Sequence, residues 1–412
     1  MRQFLFILFI LLLLFILYDK LSAMSHQPFF SLPTPTPDPL FAIAAEAKKA
    51  GAAAINGTIG IVMDEEGKPL LLPSVRTAIE SIAPRLSSMS YSYPPLTGLP
   101  EFRDVVHALL PRVPGLHIAS IASTGGTGAL AINLRLMRML LPEQRPTIIL
   151  PVPAWGNHPP PCRAANLQIL EVPYLHDGAA SIHGIVAALK NIDHRVGLLL
   201  QVGCHNPTGL DLTLEQWREL ASIFKQKDVI VLMDFAYQGF ISEPEEDAGP
   251  IQLMLEARIP TLVTWSASKN HSIYALRTGL ACAYTEDPAL VSTIEGHYSS
   301  ITRMLHSASP TFGQAIVADV QQHHRMPWLQ DLRDTRAILD RKRQLLIDGL
   351  PSSFTASLRG HGMFAQLPLT EAQIIELKDH HNVFMTLDGR INIAGIPEKR
   401  IGELCGKVKV IA

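Results

Sequence analysis

Runs of apolar residues alternate with amphipathic segments through the middle of the chain, between Ile118 and Tyr284. These runs have almost no polar positions, which is typical of strands that are covered by helices on both faces of a sheet. The runs that we predict as strands cover residues 147–152, 167–172, 196–202, 229–233, 262–265 and 279–284. This alternation predicts an α/β fold with a large, mostly parallel sheet.

The segments on either side carry helix-type patterns. Helices are predicted at residues 40–50, 74–83 and 101–110, and beyond Pro310 a long helical region, broken at Pro327, runs to Leu350. A smaller α+β piece follows, with strands at 364–367 and 390–394. Two helices begin with a capping box, in which a threonine is followed three residues later by a glutamine: Thr213 with Gln216, and Thr370 with Gln373.

These patterns predict two domains and an arm. The large domain covers residues 71–310, and a smaller α+β domain is built from both chain ends. That small domain takes residues 311–412 and part of 24–70, and the remainder of 24–70 is an N-terminal arm. Five prolines between residues 26 and 40 keep the arm extended, so that it could lie across another subunit.

Residues 1–23 form a hydrophobic leader that we exclude from the fold. Positions 4–18 are almost wholly Leu, Ile and Phe, a run shorter than the ~20 residues that span a bilayer comfortably. The leader could be a signal peptide cleaved near Ala23, a short membrane anchor, or sequence upstream of a true start at Met24. We favour the start at Met24 and a cytoplasmic enzyme, so membrane contact is expected only if residues 1–23 are retained.

The composition of the 412-residue chain limits the classes of function. A hydrophobic share of 47% and a charged share of 17% predict large cores rather than disorder. The formal net charge of −2 argues against a nucleic-acid-binding protein. The four cysteines are scattered without paired spacing, so they predict neither a metal site nor a disulfide framework, and a reducing compartment is expected.

Lys269 follows the apolar run 259–265 and is the most informative residue of the chain. Burial at a strand end disfavours an ammonium group, because desolvation lowers the pKa of a lysine. The neutral amine is a nucleophile that can form a Schiff base with a carbonyl. Ser266, Ser268 and Arg277 suit an anion nearby, such as the phosphate of an aldehyde cofactor. We therefore predict a pyridoxal-phosphate enzyme, the alternative being an ordinary surface lysine.

Further candidate ligand groups lie at other predicted strand ends, where open α/β sheets bind ligands. A glycine turn at residues 125–128 opens a helix whose N-terminus could bind phosphate, and Trp155 could stack on a flat ring. Asn206 could donate to a ring oxygen, and Asp234 could pair with a pyridinium nitrogen. Each also has a structural alternative: a tight turn, a buried tryptophan, a strand-to-helix turn and a helix cap, respectively.

In this order and spacing, the motifs resemble those of the class I aminotransferases, in the aspartate and aromatic branch of the fold type I pyridoxal-phosphate enzymes. The similarity runs from about Ile55 to Gly395. The motifs that carry it are Trp155-Gly-Asn-His158, His205-Asn-Pro-Thr-Gly209, Asp234-x-Ala-Tyr-Gln-Gly-Phe240, Ser266-x-Ser-Lys-Asn270 through Arg277, and Gly389-Arg-Ile-Asn-x-Ala-Gly395.

The resemblance implies a role for each matching residue. Lys269 would form the Schiff base and shuttle a proton, Asp234 would pair with the pyridine nitrogen, and His158 would support Asp234. The other cofactor contacts implied are Trp155, Asn206 and Tyr237 at the ring, and Gly126, Thr127, Ser266, Arg277 and a neighbouring subunit's Tyr93 at the phosphate. The substrate contacts implied are Arg390 and Gly60 at the α-carboxylate, with Trp155, Asn206 and Arg303.

Arg303 matches the family arginine that crosses the dimer interface to the side-chain carboxylate of aspartate, glutamate or 2-oxoglutarate. The segment that follows it differs from the family pattern, so a surface arginine is the alternative. Three further departures are Gly125 in place of a frequent serine, His271-Ser272 in place of Phe-Gly, and Val62-Met63 in place of Tyr-Arg. The last pair lies near the mouth of the site and weakens the transfer of substrate preference.

The resemblance implies a homodimeric aminotransferase with active sites at the interface. It would transfer the amino group of aspartate or an aromatic L-amino acid to 2-oxoglutarate in a ping-pong cycle. A β-lyase or a decarboxylase on the same fold would share every cofactor contact and is the first alternative. A non-catalytic binding or regulatory protein on this scaffold is the second alternative, which the presence of Lys269 disfavours.

Overall fold

The computed structural model describes residues 2–25, 32, 38–84 and 92–411. Most of the predicted arm at 26–40 lies outside these residues. The chain divides into two compact units, Met1–Ala42 and Ile43–Ala412. In the first unit a helix covers Arg2–Ser25, and the side chains of residues 6–18 are all exposed. None of the helices within the described ranges has both the length and the apolar character needed to cross a membrane.

The strands are β1 (Ile55–Asn56), β2 (His117–Thr124), β3 (Thr147–Val152), β4 (Gln168–Pro173), β5 (Leu175–His176), β6 (Ala179–Ala180), β7 (Val196–Gln201), β8 (Val229–Phe235), β9 (Thr261–Ser266), β10 (Thr278–Thr285), β11 (Phe364–Gln366), β12 (Val383–Phe384) and β13 (Arg390–Asn392). The helices are α1 (Arg2–Ser25), α2 (Pro39–Ala50), α3 (Pro73–Ile82), α4 (Pro100–Leu109), α5 (Gly125–Leu140), α6 (Pro159–Ala164), α7 (His183–Lys190), α8 (Leu214–Phe224), α9 (Pro244–Asp247), α10 (Gly249–Glu256), α11 (Ala289–His306), α12 (Phe312–His323), α13 (Arg325–Gly349), α14 (Thr355–Leu358), α15 (Glu371–His381) and α16 (Ile401–Ile411).

The central sheet has the strand order β2-β10-β9-β8-β7-β3-β4. Strands β4, β3, β7, β8 and β9 are mutually parallel, and β10 is antiparallel to both β9 and β2. The predicted α/β fold with a mostly parallel sheet is therefore confirmed, and all six predicted runs are strands. The sequence patterns do not predict β2, because its small Ala and Ser side chains lack a strong apolar signal.

Alternate residues of the sheet belong to different cores. Ile148 and Leu150 of β3 pack in one cluster, whereas Ile149 packs in another. Strand β8 divides in the same way, with Leu232 in the first cluster and Met233 in the second. Side chains of successive strand residues point to opposite faces, so the sheet is buried on both sides. This burial explains why its strands have continuous apolar sequences.

Segments from the two ends of the second unit pair with each other. Strand β1 pairs in parallel with β12 through Ile55 and Val383, and β11 pairs with β13 in antiparallel fashion. The cluster around Ile55 includes Leu346 and Leu404 from the C-terminal helices. Early and late residues therefore share a core, although the predicted domain boundaries at residues 70 and 310 stay predictions.

Helix starts follow the sequence signals in two cases and depart from them in one. Both predicted capping boxes are confirmed, with Thr213 and Thr370 each accepting a hydrogen bond from the backbone of the glutamine three residues later. The predicted break at Pro327 is wrong, because the helical region is interrupted at His324 instead. Pro327 lies in the first turn of α13, where a missing N–H leaves no intrahelical hydrogen bond unmade.

Candidate active site

Three neighbouring parallel strands bring the predicted catalytic residues to one edge of the sheet. Asp234 lies near the end of β8, Lys269 follows β9 by three residues, and Asn206 follows β7 by five. The Lys269 Nζ lies 5.7 Å from the centroid of the Tyr237 ring. The topology therefore gathers groups that are far apart in sequence where parallel sheets bind ligands.

Asp234 is buried and oriented by one histidine. His158 Nε2 lies 2.9 Å from Asp234 Oδ2, and the ring of His158 meets Trp155 edge to face, with centroids 5.3 Å apart. Among the described residues, no hydrogen bond reaches Asp234 Oδ1. A buried carboxylate requires a positive or hydrogen-bonding partner. The free oxygen of Asp234 therefore suits a protonated ring nitrogen.

The Lys269 amine lies in a pocket that favours its neutral form. Burial and the nearby Arg277 guanidinium lower the pKa of Lys269 to about 8, against the opposing effect of Asp234. The ring of Tyr274 also has its centroid 5.7 Å from Nζ. An amine with this pKa is a nucleophile near neutral pH.

The start of α5 and the Arg277 guanidinium form a cationic cradle. Gly125 has φ +73°, and a Cβ there would lie 2.6 Å from Arg277 Nη2. Nη1 of Arg277 donates to Ser268 Oγ at 3.3 Å, and Ser266 Oγ donates to Ser268 Oγ at 3.1 Å. Free N–H groups at a helix start and a guanidinium together suit a phosphate.

Gly126 and Thr127 lie in the first turn of α5, on the cradle side of the helix start. A Cβ on Gly126 would lie 3.1 Å from the Ser266 Cβ, so the backbone of α5 approaches the end of β9 closely. The absence of a side chain at this position leaves the α5 amides accessible to an anion.

Tyr237 and Asn206 meet on the other side of the pocket. Burial and the Asp234 charge raise the pKa of the Tyr237 hydroxyl above its usual range, and an interaction with the Asn206 side chain opposes that rise. The Tyr237 ring packs edge to face on Phe364, with centroids 6.2 Å apart. This hydroxyl is therefore a neutral donor beside an amide, which suits a ring oxygen.

Arg390 is buried and held in place by contacts within the chain. Its Nη2 donates to Thr58 O at 2.7 Å, and the guanidinium carbon lies 5.1 Å from the centroid of the Phe364 ring. Its Nε is buried and has no hydrogen-bond partner within the described part of the chain. Burial lowers the pKa of this guanidinium, with Asp388 opposing that shift. A buried guanidinium with an unpaired N–H suits a carboxylate.

Gly60 lies two residues after Thr58, the hydrogen-bond partner of Arg390, in a segment that Asn392 holds. Asn392 Nδ2 donates to Ile59 O at 2.7 Å and to Ile61 O at 2.9 Å, the carbonyls on either side of Gly60. A Cβ at Gly60 would lie 2.8 Å from Phe364 Cζ. Only glycine therefore fits at this position without moving the ring.

Tyr93 and Arg303 are exposed, as is Arg277, whereas the other predicted site residues are buried or half-buried. The exposed fraction of Tyr93 is 89%, and Arg303 lies in the last turn of α11 with no hydrogen bond or ion pair to any described residue. Both were expected to act across a subunit boundary. Their roles stay predictions.

The sequence patterns miss three residues that shape the pocket: Tyr274, Phe364 and Thr58. The Tyr274 hydroxyl accepts a hydrogen bond from Val62 N at 3.1 Å, and the Tyr274 carbonyl accepts one from Arg277 Nη1 at 3.1 Å. No local pattern marks these residues, although Tyr274 lies within the predicted motif stretch. Taken together, the pocket fits pyridoxal phosphate: an amine for the aldehyde, a carboxylate for the ring nitrogen and a cationic cradle for the phosphate.

Comparison with known proteins gives matches over most of the chain. The family model "Aminotransferase class I and II" matches residues 55–408. The aspartate aminotransferase of Salmonella typhi is 30% identical over 371 residues, which cover 87% of this chain and 93% of that protein. The aromatic-amino-acid aminotransferase of Escherichia coli K12 is 30% identical over 359 residues, covering 83% and 89%. A solved aromatic-amino-acid aminotransferase from Burkholderia pseudomallei, covalently bound to pyridoxal phosphate, aligns with a TM-score of 0.87 at 26% identity, covering 93% and 99%.

Proposed function

The chain belongs to the class I and II aminotransferases, and we propose that it moves the amino group of aspartate or an aromatic L-amino acid to 2-oxoglutarate through Lys269. It is a pyridoxal-phosphate-dependent aminotransferase that acts on amino acids and oxo acids. The observation that supports the assignment of Lys269 is its position: a lysine amine of lowered pKa beside the Asp234–Tyr237 segment.

The cofactor would be held by the groups already described. Asp234, supported by His158, would receive the ring nitrogen, and Trp155 would cover the ring. Asn206 and Tyr237 would donate to the ring oxygen. The phosphate would be held by Gly126, Thr127, Ser266, Arg277 and the Tyr93 of a second subunit. When bound, pyridoxal phosphate supplies an electron sink that stabilises negative charge at the substrate Cα.

Lys269 would carry out the proton chemistry of the reaction. Its neutral Nζ is a base matched to operation near pH 8, because a catalytic pKa close to the working pH gives the most efficient proton transfer. The charge of Asp234 favours the charged form of this amine, whereas the charge of Arg277 favours the neutral form. This opposition keeps the amine able both to accept and to return the Cα proton.

Arg390 would orient the substrate by its α-carboxylate. The Thr58 and Phe364 contacts fix the guanidinium before any substrate arrives, so binding costs little reorganisation. Orientation of this kind can contribute up to about 7–11 kcal/mol in ideal cases. A carboxylate in the substrate side chain, as in aspartate or 2-oxoglutarate, would then meet Arg303 from a second subunit.

We therefore expect a homodimer in the cytoplasm with two sites at the subunit boundary. The exposure of both Tyr93 and Arg303 supports this arrangement, because each would be covered by a neighbour. Analytical ultracentrifugation of the purified chain would measure the subunit number. A monomer that retained full activity when diluted would contradict the shared site.

The function is tested by mixing purified protein, supplied with pyridoxal phosphate, with single amino acids and recording absorbance spectra. We expect aspartate or an aromatic amino acid to convert the bound cofactor to its amine form, and 2-oxoglutarate to reverse the change. Borohydride should fix the cofactor on Lys269, as read by peptide mass spectrometry. Pyruvate and ammonia from a cysteine conjugate would indicate a lyase instead. A protein that stays colourless and unlabelled would be a binding protein on this scaffold.

A further inference from the structure

The turn that follows β7, residues 203–206, has an unfavourable backbone. Gly203 has φ +71° and the next residue, Cys204, has φ +50°. A left-handed conformation disfavours a residue with a Cβ, so surrounding contacts must hold Cys204 in it. The turn ends at Asn206, whose side chain meets Tyr237 in the active site.

One side chain spans this turn from its first residue to its last. Gln201 is the final residue of β7 and is 9% exposed. Its Nε2 donates to Gly203 O at 3.2 Å and to Cys204 O at 3.1 Å, while its Oε1 accepts from Asn206 N at 3.2 Å. The amide of Gln201 thus satisfies three backbone groups of a segment that forms no regular structure.

A second set of contacts holds the turn elsewhere. Asp211 accepts hydrogen bonds from Cys204 N and His205 N, each at 2.9 Å, and Thr208 Oγ1 lies 2.8 Å from His205 Nδ1. Neither of these side chains forms a hydrogen bond with Asn206. Among the described residues, the acceptor for the Asn206 backbone N–H is Gln201 Oε1.

We propose that Gln201 is a positioning residue, which fixes the backbone of Asn206 so that the Asn206 amide and the Tyr237 hydroxyl stay directed at the cofactor ring oxygen. The inference rests on the proposed function, because it takes Asn206 and Tyr237 as ring contacts. Gln201 also faces the same side of the sheet as Asp234, its register partner in β8. One residue of β7 is therefore coupled to the ring-oxygen contacts without touching the cofactor.

The role has a spectroscopic consequence. Negative charge on the ring oxygen would stabilise the proton on the nitrogen that joins Lys269 to the cofactor. Hydrogen-bond donors to the ring oxygen would draw that charge away and so weaken the stabilisation. Weaker donation therefore raises the pH midpoint at which the absorbance of the lysine-linked cofactor changes. Loss of one ordinary hydrogen bond corresponds to about one-half to one pH unit. A residue that only stabilises the fold would leave this midpoint unchanged.

The test compares Gln201→Met with a matched control, Thr208→Val. Both substitutions keep size and charge, and both remove hydrogen bonds from the same loop, but only the first removes the contact to Asn206. We expect Gln201→Met to raise the absorbance midpoint by about one-half to one pH unit and to weaken cofactor binding several-fold. Thr208→Val should lower the melting temperature and leave the midpoint in place. Equal midpoints in Gln201→Met and the unmodified protein would overturn the proposal, as would equal shifts in both variants.

A double-variant cycle gives an independent reading. If Gln201 acts through Asn206, Gln201→Met should add no further midpoint shift in an Asn206→Ala background, whereas additive shifts would contradict that route. Should Gln201→Met fail to fold, Gln201→Asn, which shortens the amide by one methylene, takes its place in both comparisons. An unmodified protein that binds no cofactor at all would instead contradict the proposed function. The two failures are therefore distinguishable.

Discussion

Arg390 and Arg303 are the two arginines expected to bind substrate carboxylates, and their surroundings differ. Arg390 is 7% exposed, bonded to Thr58 O at 2.7 Å and packed against Phe364. Arg303 lies on the outside of α11 and forms no ion pair or hydrogen bond within the described part of the chain. One guanidinium is held by its own chain, and the other has no such contact with the described residues.

This difference indicates which properties belong to a single chain. Apart from Tyr93, the residues proposed for the cofactor cradle, the base and the α-carboxylate site are held by contacts within residues 43–411, so these parts should be shared by aminotransferases of many specificities. In the proposed function, selection of the substrate side chain depends on Arg303, which no described residue of the same chain holds in place. Chemistry and specificity should therefore respond differently to substitution and to dilution.

The largest expected effect is that of Arg390→Leu. Removing one partner of a buried, hydrogen-bonded charge pair costs about 2–5 kcal/mol, so kcat/KM should fall by at least roughly thirtyfold for every amino acid. Steady-state kinetics with aspartate and phenylalanine measures the effect. The loss should be equal for the two, because both carry the α-carboxylate.

Arg390→Lys is the matched control for that prediction. It keeps the positive charge but loses the planar fork that binds a carboxylate through two N–H groups. We expect an intermediate loss. If Arg390→Leu retained the KM of the unmodified protein for both donors, the α-carboxylate would bind elsewhere, and the contrast between the two arginines would be lost.

Arg303→Leu should have a smaller and selective effect. A charge-assisted hydrogen bond contributes about 1.5–3 kcal/mol, which corresponds to roughly ten- to hundredfold in the ratio of kcat/KM for aspartate over phenylalanine. The value for phenylalanine alone should hardly change. Arg258→Leu, at an exposed arginine that lies near Glu286, is the control and should leave the ratio unaltered. A full aspartate preference in Arg303→Leu would exclude Arg303 from the substrate site.

Residues at strand ends were the predictable part of this site. Asp234, Asn206 and Lys269 stand where apolar runs stop, and parallel strands bring such positions to a common edge. Each is a polar residue in an otherwise buried segment, which is a local signal. The same reasoning predicts the sheet itself, apart from β2, whose alternating Ala and Ser residues carry little hydrophobic pattern.

The rest of the site depends on contacts between distant segments. The Tyr274 hydroxyl meets the backbone of Val62, 212 positions earlier, and Arg390 bonds to Thr58, 332 positions earlier. No periodicity or capping signal encodes such pairs, because they depend on how finished elements pack. The helix break assigned to Pro327 is wrong for a related reason: a proline signals either a break or a first turn, and tertiary context selects between them.

Gly125→Ser tests the cofactor half of the site. The family often has serine here, but in this chain a Cβ would lie 2.6 Å from Arg277 Nη2, at a residue with φ +73°. Strain of about 1–2 kcal/mol should weaken pyridoxal-phosphate binding roughly five- to thirtyfold, as measured by equilibrium dialysis. Gly296→Ser, at a position where no atom of the described residues lies within 4 Å of the added Cβ, should leave the affinity unchanged. Tighter binding in Gly125→Ser would show that the cradle adjusts to a side chain.

The subtlest expectation concerns Lys269 in the cofactor-free protein. Burial lowers its pKa from 10.5 to about 8, so its reaction with an amine-specific reagent, followed by peptide mass spectrometry, should be half-maximal near pH 8. Asp234 favours the charged form, so Asp234→Asn should move this midpoint to lower pH, and Arg277→Gln should move it to higher pH. A midpoint near 10.5 would contradict the pocket described here.

The same titration has a consequence for stability. Because the folded-state pKa of Lys269 is below that of the unfolded chain, the unfolded state binds more protons between pH 8 and 10.5. The contribution of this amine to the free energy of unfolding should therefore rise with pH across that interval, and Lys269→Met should remove the rise.

The Lys269 midpoint should also be the same at all protein concentrations, whereas preference for aspartate should weaken on dilution. A concentration-dependent midpoint would mean that the neighbouring subunit shapes the Lys269 pocket in addition to the Tyr93 contact proposed at the phosphate.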